Sequence, residues 1–111
     1  MPAYSASKGG LRLFSKATAL DFAKRRYGIG VNSVYPGLIN TSLTTPSFDS
    51  MRGANSNKDI ETIRAEMIEK YPIGRLGRPK EVAGVVCLLA GDDSSYMVGA
   101  ELVVDGGLTA S

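Results

Sequence analysis

The residues with the clearest chemical potential stand near the start of the chain, in Tyr4-Ser5-Ala6-Ser7-Lys8. If the segment is helical, Tyr4 and Lys8 share one face and their side chains meet the same substrate or cofactor. A phenol with its ordinary pKa of about 10 is a poor acid or base at neutral pH, but a neighbouring ammonium favours the phenolate and brings the group toward the working range. A tyrosine so placed can pass a proton to a carbonyl oxygen or take one from an alcohol. Ser5, Ala6, Ser7, Gly9 and Gly10 are small enough for a flat ligand to lie against the helix. The same pattern also describes a surface tyrosine beside a surface lysine, so its meaning depends on the elements around it.

From about Ala3 to Tyr27 the sequence predicts a long helix with two apolar stripes, Leu11, Phe14 and Thr18 on one and Leu13, Ala17 and Leu20 on the other. Two stripes call for two packing partners, a sheet on one side and another helix, for instance from a second subunit, on the other. Gly28 is the expected stop. Ile29 to Tyr35 reads as a strand ended by the turn Pro36-Gly37. Ligands of open α/β sheets bind beyond the carboxyl ends of the strands, so Leu38 to Leu43 stand where a binding loop is expected, with Thr41 and free backbone amides available to a polar group.

Thr44 to Lys58 is polar and rich in breakers, the pattern of a disordered stretch or of a mobile cover over a site. A helix follows from about Asp59 to Lys70, with Ile60, Ile63 and Met67 at helical spacing and Asp59 or Asn57 as its cap. It suits a flap over a ligand and an ordinary surface helix equally. After a turn-rich link, Pro79 opens a helix to about Ala90 whose apolar residues fill most of its circumference, which predicts burial. Cys87, among Val85, Val86, Leu88 and Leu89, is expected to be a small buried hydrophobe. Gly91 stops this helix. A strand from Ala100 to Val104 closes the chain with Asp105-Gly106-Gly107, so that strand, helix and strand form one parallel, right-handed crossover.

Composition narrows the function classes. The chain has 111 residues, 43% of them hydrophobic and 22% charged, with a formal net charge of +2. So mild a balance gives no reason to expect nucleic acid or membrane as a partner, and the one basic run, Lys24-Arg25-Arg26, suits the end of a helix. A single cysteine cannot form an internal disulfide, which fits a reducing, cytoplasmic setting. The absence of histidine excludes a Ser-His-Asp triad within the chain and any histidine-based metal site. The longest apolar run, Val82 to Ala90, is far shorter than the roughly 20 residues of a spanning helix, and no signal-peptide pattern opens the chain.

The order and spacing of these motifs resemble the short-chain dehydrogenases/reductases. The resemblance covers Tyr4-x-x-x-Lys8 with Ala6-Ser7 between, Val31-Asn32-Ser33-Val34 leading to Pro36-Gly37, and Thr41. It continues through Gly74-Arg75-x-Gly77-x-Pro79-x-Glu81-Val82-Ala83 to Gly99, Val104 and Asp105-Gly106-Gly107. It implies an α/β fold, the C-terminal portion of a Rossmann-type parallel sheet built as long helix, strand, lid helix, buried helix and final strand. It further implies an oxidoreductase that uses NAD or NADP to move a hydride to or from a carbonyl or alcohol substrate. Tyr4 would be the catalytic acid/base and Lys8 would assist it, both also touching the cofactor, with Lys8 on the nicotinamide ribose. Pro36, Gly37, Ile39 and Thr41 would hold the nicotinamide end, the Ile39 backbone on the carboxamide and Thr41 on the carboxamide or the pyrophosphate. Residues 43–70 would form the substrate lid, the long helix a dimer interface, and the final strand a tetramer contact.

The glycine-rich phosphate turn, the determinant of NAD against NADP and the substrate-orienting serine of that family have no counterpart in these residues. The expectation is therefore that residues 1–111 are the C-terminal part of one Rossmann domain whose dinucleotide-binding half is absent here. Taken alone, such a part is expected to expose apolar surface and an open strand edge. The alternative function is a truncated, inactive piece that acts only in interaction or oligomerisation.

Overall fold

A computed structural model describes residues 2–44, 46, 49 and 57–110. In chain order the elements are α1 (Pro2–Lys24), β1 (Ser33–Pro36), α2 (Ile60–Glu69), α3 (Pro79–Ala90) and β2 (Glu101–Val104). This is the α/β order expected from the sequence. Of the polar cover expected over Thr44 to Lys58, residues 45, 47, 48 and 50–56 lie outside the described residues. The chain gathers into two compact units, residues 1–35 with 85–102 and residues 36–84 with 103–111.

In the first unit α1 packs through its small residues. Ala19 is wholly buried, and a Cβ on Gly99 would sit 3.6 Å from its methyl, so helix and strand approach where neither has bulk. Arg12 forks onto the Glu101 carboxylate, Nε to Oε1 at 2.6 Å and Nη2 to Oε2 at 2.9 Å, and Lys16 Nζ adds a 3.4 Å contact to Oε1. The packed line is Ser15, Thr18, Ala19 and Phe22, which shares only Thr18 with the predicted stripes. Leu11, Leu13, Phe14 and Leu20 are each more than half exposed, because the described residues offer no second surface for them.

The helix also ends earlier than predicted. Arg26 takes the left-handed conformation at φ 56°, with Tyr27 N–H on the Phe22 carbonyl at 3.1 Å and Arg26 N–H on that of Ala23 at 3.0 Å. Arg26 rather than Gly28 therefore makes the stop, and the two satisfied carbonyls offset a backbone cost of roughly 1–2 kcal/mol.

The bonds Ser33 N–H to Ala100 carbonyl at 2.9 Å and Gly37 N–H to Val104 carbonyl at 3.0 Å advance along both strands together, so β1 and β2 are parallel. The ladder starts later than the predicted Ile29. Asn32 Oδ1 accepts the Ala100 N–H at 2.9 Å and Nδ2 donates to the Met97 carbonyl at 3.2 Å, so a side chain takes partners that a longer strand would have used. Among the described residues each strand pairs along one edge only.

The second unit has its own small core, Ile63 against Leu76, with Leu38, Ile60, Met67 and Ile68 packed around them. Asp59 caps α2, its Oδ1 accepting the Thr62 N–H at 2.7 Å.

Helix α3 begins and ends as predicted, but it is not buried. Only Val82, Val85 and Leu89 form a half-buried stripe, while Val86 is 52% exposed and Cys87 is exposed rather than buried. An apolar circumference is made to be covered on several sides, and the described residues cover one.

Candidate active site

Tyr4 and Lys8 occupy successive turns of α1. Lys8 Nζ lies 5.5 Å from the centroid of the Tyr4 ring, within cation–π range, and the Ser7 hydroxyl donates to the Tyr4 carbonyl at 2.8 Å. Tyr4 is 58% exposed. A Cβ on Gly9 or Gly10 would meet nothing within 4 Å, so this face is open, as a flat ligand requires.

The loop after β1 belongs to the second unit. The Gly37 N–H donates to the Val104 carbonyl at 3.0 Å and that of Leu38 to the Tyr71 hydroxyl at 3.1 Å. The Asn40 N–H goes to the Gly77 carbonyl at 2.8 Å and that of Thr41 to Thr44 Oγ1 at 2.9 Å. Gly77 N–H in turn donates to the Leu38 carbonyl at 3.0 Å, which makes a parallel bridge around Ile39. In a parallel bridge the central residue turns its own amide the other way. The Ile39 N–H accordingly finds no acceptor among the described residues, while its carbonyl accepts from Thr44 Oγ1 at 2.6 Å. Close approach is built in at Gly37, where a Cβ would fall 2.9 Å from Asp105 Cα and 3.0 Å from the Tyr71 ring.

Charge holds the segment that carries Gly77. Arg75 forks onto Glu81 at 2.7 and 2.9 Å, and Glu81 Oε2 also accepts the Arg78 N–H at 2.7 Å, as the third residue of a helix can do for its cap. The Arg75 hydrogen bonds, followed by the Arg78 N–H, hold the Glu81 carboxyl down to about 2, and the same pairing raises Arg75. After β2 the Asp105 carboxylate accepts from the Thr109 hydroxyl at 2.7 Å and from the Gly107 and Thr109 N–H groups at 3.0 Å. These bonds, the Thr109 hydroxyl first, lower its pKa.

A cleft of about 270 Å³ opens beside the loop, lined by Leu38, Ile39, Tyr71, Arg75, Glu81 and Gly106 among others. It has room for part of a cofactor-sized ligand. The larger cleft of the first unit, about 580 Å³, lies around Ala23, Arg26, Asn32 and Asp92, at the opposite end of α1 from Tyr4.

Tyr4 and Lys8 are thus brought together in one unit, and Pro36, Gly37, Ile39 and Thr41 in the other. Sequence reasoning missed Thr44, Tyr71 and Glu81. A threonine three residues after Thr41 and a glutamate two residues after Pro79 are legible turn and cap signals. The Tyr71 contact, 33 residues away from Leu38, leaves no such mark.

Residues 1–109 match the family model described as Enoyl-(Acyl carrier protein) reductase. The chain belongs to the short-chain dehydrogenase/reductase family. It is 43% identical over 108 residues to the NADP-dependent (R)-specific alcohol dehydrogenase of Lentilactobacillus kefiri, a match covering 97% of this chain and 38% of that protein. It is 42% identical over 107 residues to the cyclohexanol dehydrogenase of Acinetobacter sp. strain SE19, covering 96% and 36%. Among solved structures, a short chain dehydrogenase family protein from Francisella tularensis superposes with a TM-score of 0.87 at 34% identity, covering 98% of this chain and 44% of that one. A structure from Agrobacterium tumefaciens with bound NADP gives 0.80 at 31% identity, covering 99% and 40%. The chain therefore spans well under half the length of these relatives.

Proposed function

We propose that this protein is an NAD(P)-dependent oxidoreductase acting on the carbonyl or alcohol group of a small molecule. The observation that carries the reading is the Tyr4–Lys8 pair, an exposed phenol with an ammonium 5.5 Å from its ring on an open helix face. When bound, the nicotinamide cofactor supplies or accepts the hydride. The Tyr4 hydroxyl gives its proton to the carbonyl oxygen in reduction and takes it back from the alcohol in oxidation. Lys8 places a positive charge beside the phenolate that forms and has ammonium donors for the ribose hydroxyls.

The loop residues fit the nicotinamide end. The Ile39 N–H, which has no acceptor among the described residues, is a donor for the carboxamide, the Thr41 hydroxyl serves the carboxamide or the pyrophosphate, and Pro36-Gly37 brings the chain against Asp105 and Tyr71 where Gly37 has no Cβ. Bound NADP in the Agrobacterium tumefaciens structure and the NADP dependence of the Lentilactobacillus kefiri relative support this choice of cofactor. Residues 43–70, including α2, act as the substrate lid. The exposed apolar residues of α1 serve self-association into a dimer or tetramer.

The same exposed residues favour a second reading, in which the 111 residues act only as an interaction piece. Turnover separates the two. In the protein at its full length, oxidation of NADH or NADPH with a panel of small ketones, and the reverse with secondary alcohols, is expected to drop about 10²–10⁴-fold on Tyr4→Phe. Retained turnover in that variant overturns the assignment of Tyr4, and absence of turnover in the parent with all substrates leaves the interaction reading standing.

A further inference from the structure

Among the described residues Tyr71 is the one buried tyrosine, 8% exposed, and it stands just past the end of α2. Its N–H still closes the helix on the Ile68 carbonyl at 2.9 Å, while its side chain belongs to another element. The hydroxyl oxygen accepts the Leu38 N–H at 3.1 Å, and the ring limits Gly37, whose Cβ would fall 3.0 Å away. The next two residues are held by the turn after β2. The Ile73 N–H donates to the Gly106 carbonyl at 3.1 Å, and the Pro72 ring lies 3.1 Å from where a Gly107 Cβ would stand. The C-terminal root of α2 is therefore fastened both to the loop after β1 and to the turn after β2, at positions where glycine alone leaves room. Leu38, Tyr71, Ile73 and Gly106 also line the cleft of about 270 Å³, so a shift of the root changes that cleft.

We infer that Tyr71 is a positioning residue that locks α2 to the loop, so that a ligand bound against α2 and a ligand bound to the loop each raise the affinity for the other. The root of α2 cannot shift without breaking the bond to the Leu38 N–H or carrying Leu38 with it. Breaking it leaves a part-buried donor unpaired, which costs more than the bond is worth net. A ligand that orders one of the two elements therefore orders the other, and the second ligand finds its surface already set. The inference rests on the reading that α2 lies over the substrate and that residues 36–41 hold the nicotinamide end.

The test is titration of the full-length protein with NADH or NADPH, whichever binds tighter, without and with a saturating secondary alcohol. The alcohol is the one that the protein oxidises fastest with the oxidised cofactor. Alcohol and reduced cofactor do not react with each other, so the ternary complex persists through the titration. In the parent the alcohol is expected to tighten cofactor binding by about fivefold or more. Tyr71→Phe keeps the ring and loses the hydroxyl. It should cut that linkage at least about threefold and leave the affinity for cofactor alone within about threefold of the parent's. A ratio of two dissociation constants does not depend on the fraction of folded protein, so a role confined to stability leaves the linkage at its parental value. Pro72→Ala, which removes the ring beside Gly107, should lower the linkage in the same direction, and it decides if Tyr71→Phe does not fold. No linkage in the parent, or parental linkage in folded Tyr71→Phe, overturns the inference while the functional reading stands. A parent that binds neither cofactor, or that oxidises no alcohol, rejects both.

Discussion

Around Tyr4 the protein offers side chains on an open helix face, whereas between Gly37 and Thr41 it offers backbone in which, among the described residues, every amide but that of Ile39 is already paired. The Tyr4 turn is held at a distance, through Ala19 against Gly99 and the Arg12–Glu101 fork in the same unit. The loop is held at every residue, by Val104, Tyr71, Gly77 and Thr44. Side-chain chemistry depends on residue type and tolerates a loosely packed surround. Backbone recognition depends on which groups are left free, and therefore on the partners that occupy the others.

Three substitutions sharpen that contrast, and the largest effect is expected at the helix. Lys8→Met in the full-length protein should weaken cofactor affinity and turnover together, each by about ten- to a hundredfold, because a charged donor is lost. Its melting temperature should stay that of the parent, since Lys8 is exposed and lies over the Tyr4 ring. Unchanged cofactor affinity counts against its double role.

Gly37→Ala should behave in the opposite way. Its Cβ meets the Asp105 backbone at 2.9 Å, so stability should fall by about 1–3 kcal/mol and carry cofactor binding down with it. Thermal denaturation at parental temperature would show that the close approach is not a constraint.

The smallest effect is a slope. The folded-state pKa of Glu81 is about 2 against an ordinary 4.5, so its contribution is fully present above pH 4.5 and is lost as pH falls from there toward 2. The stability of Glu81→Gln in denaturant unfolding should vary less with pH across that window than the parent's, and at neutral pH the variant should already lack the stability that the parent loses only in acid. Superimposable curves for the two proteins would mean that the Arg75–Glu81 fork does not steady the segment carrying Gly77.

The contrast also explains what was legible in the sequence. Helix α3 was found to its ends because Pro79 and Gly91 punctuate it, and α2 because Asp59 is a local cap. Tyr4 and Lys8 announce themselves by type and spacing. The donor at Ile39 could be expected only through family resemblance, because its freedom follows from a bridge to Gly77 and a bond to Tyr71, both set by tertiary folding. Burial was the least legible property. The apolar stripes of α1 and the circumference of α3 told what those helices are suited to cover, and among the described residues little lies against them. The strand start was misplaced for a local reason, the Asn32 side chain taking the place of ladder bonds.

The central claim is a division of labour, with the proton on Tyr4 and the nicotinamide end on the loop. It is tested most directly by titrating full-length Tyr4→Phe with NADH or NADPH and following nicotinamide fluorescence, beside the parent. The account predicts a dissociation constant within about twofold of the parent's in a variant that has lost its chemistry. A variant that loses cofactor binding along with turnover would contradict it, because Tyr4 would then be holding the cofactor rather than carrying the proton.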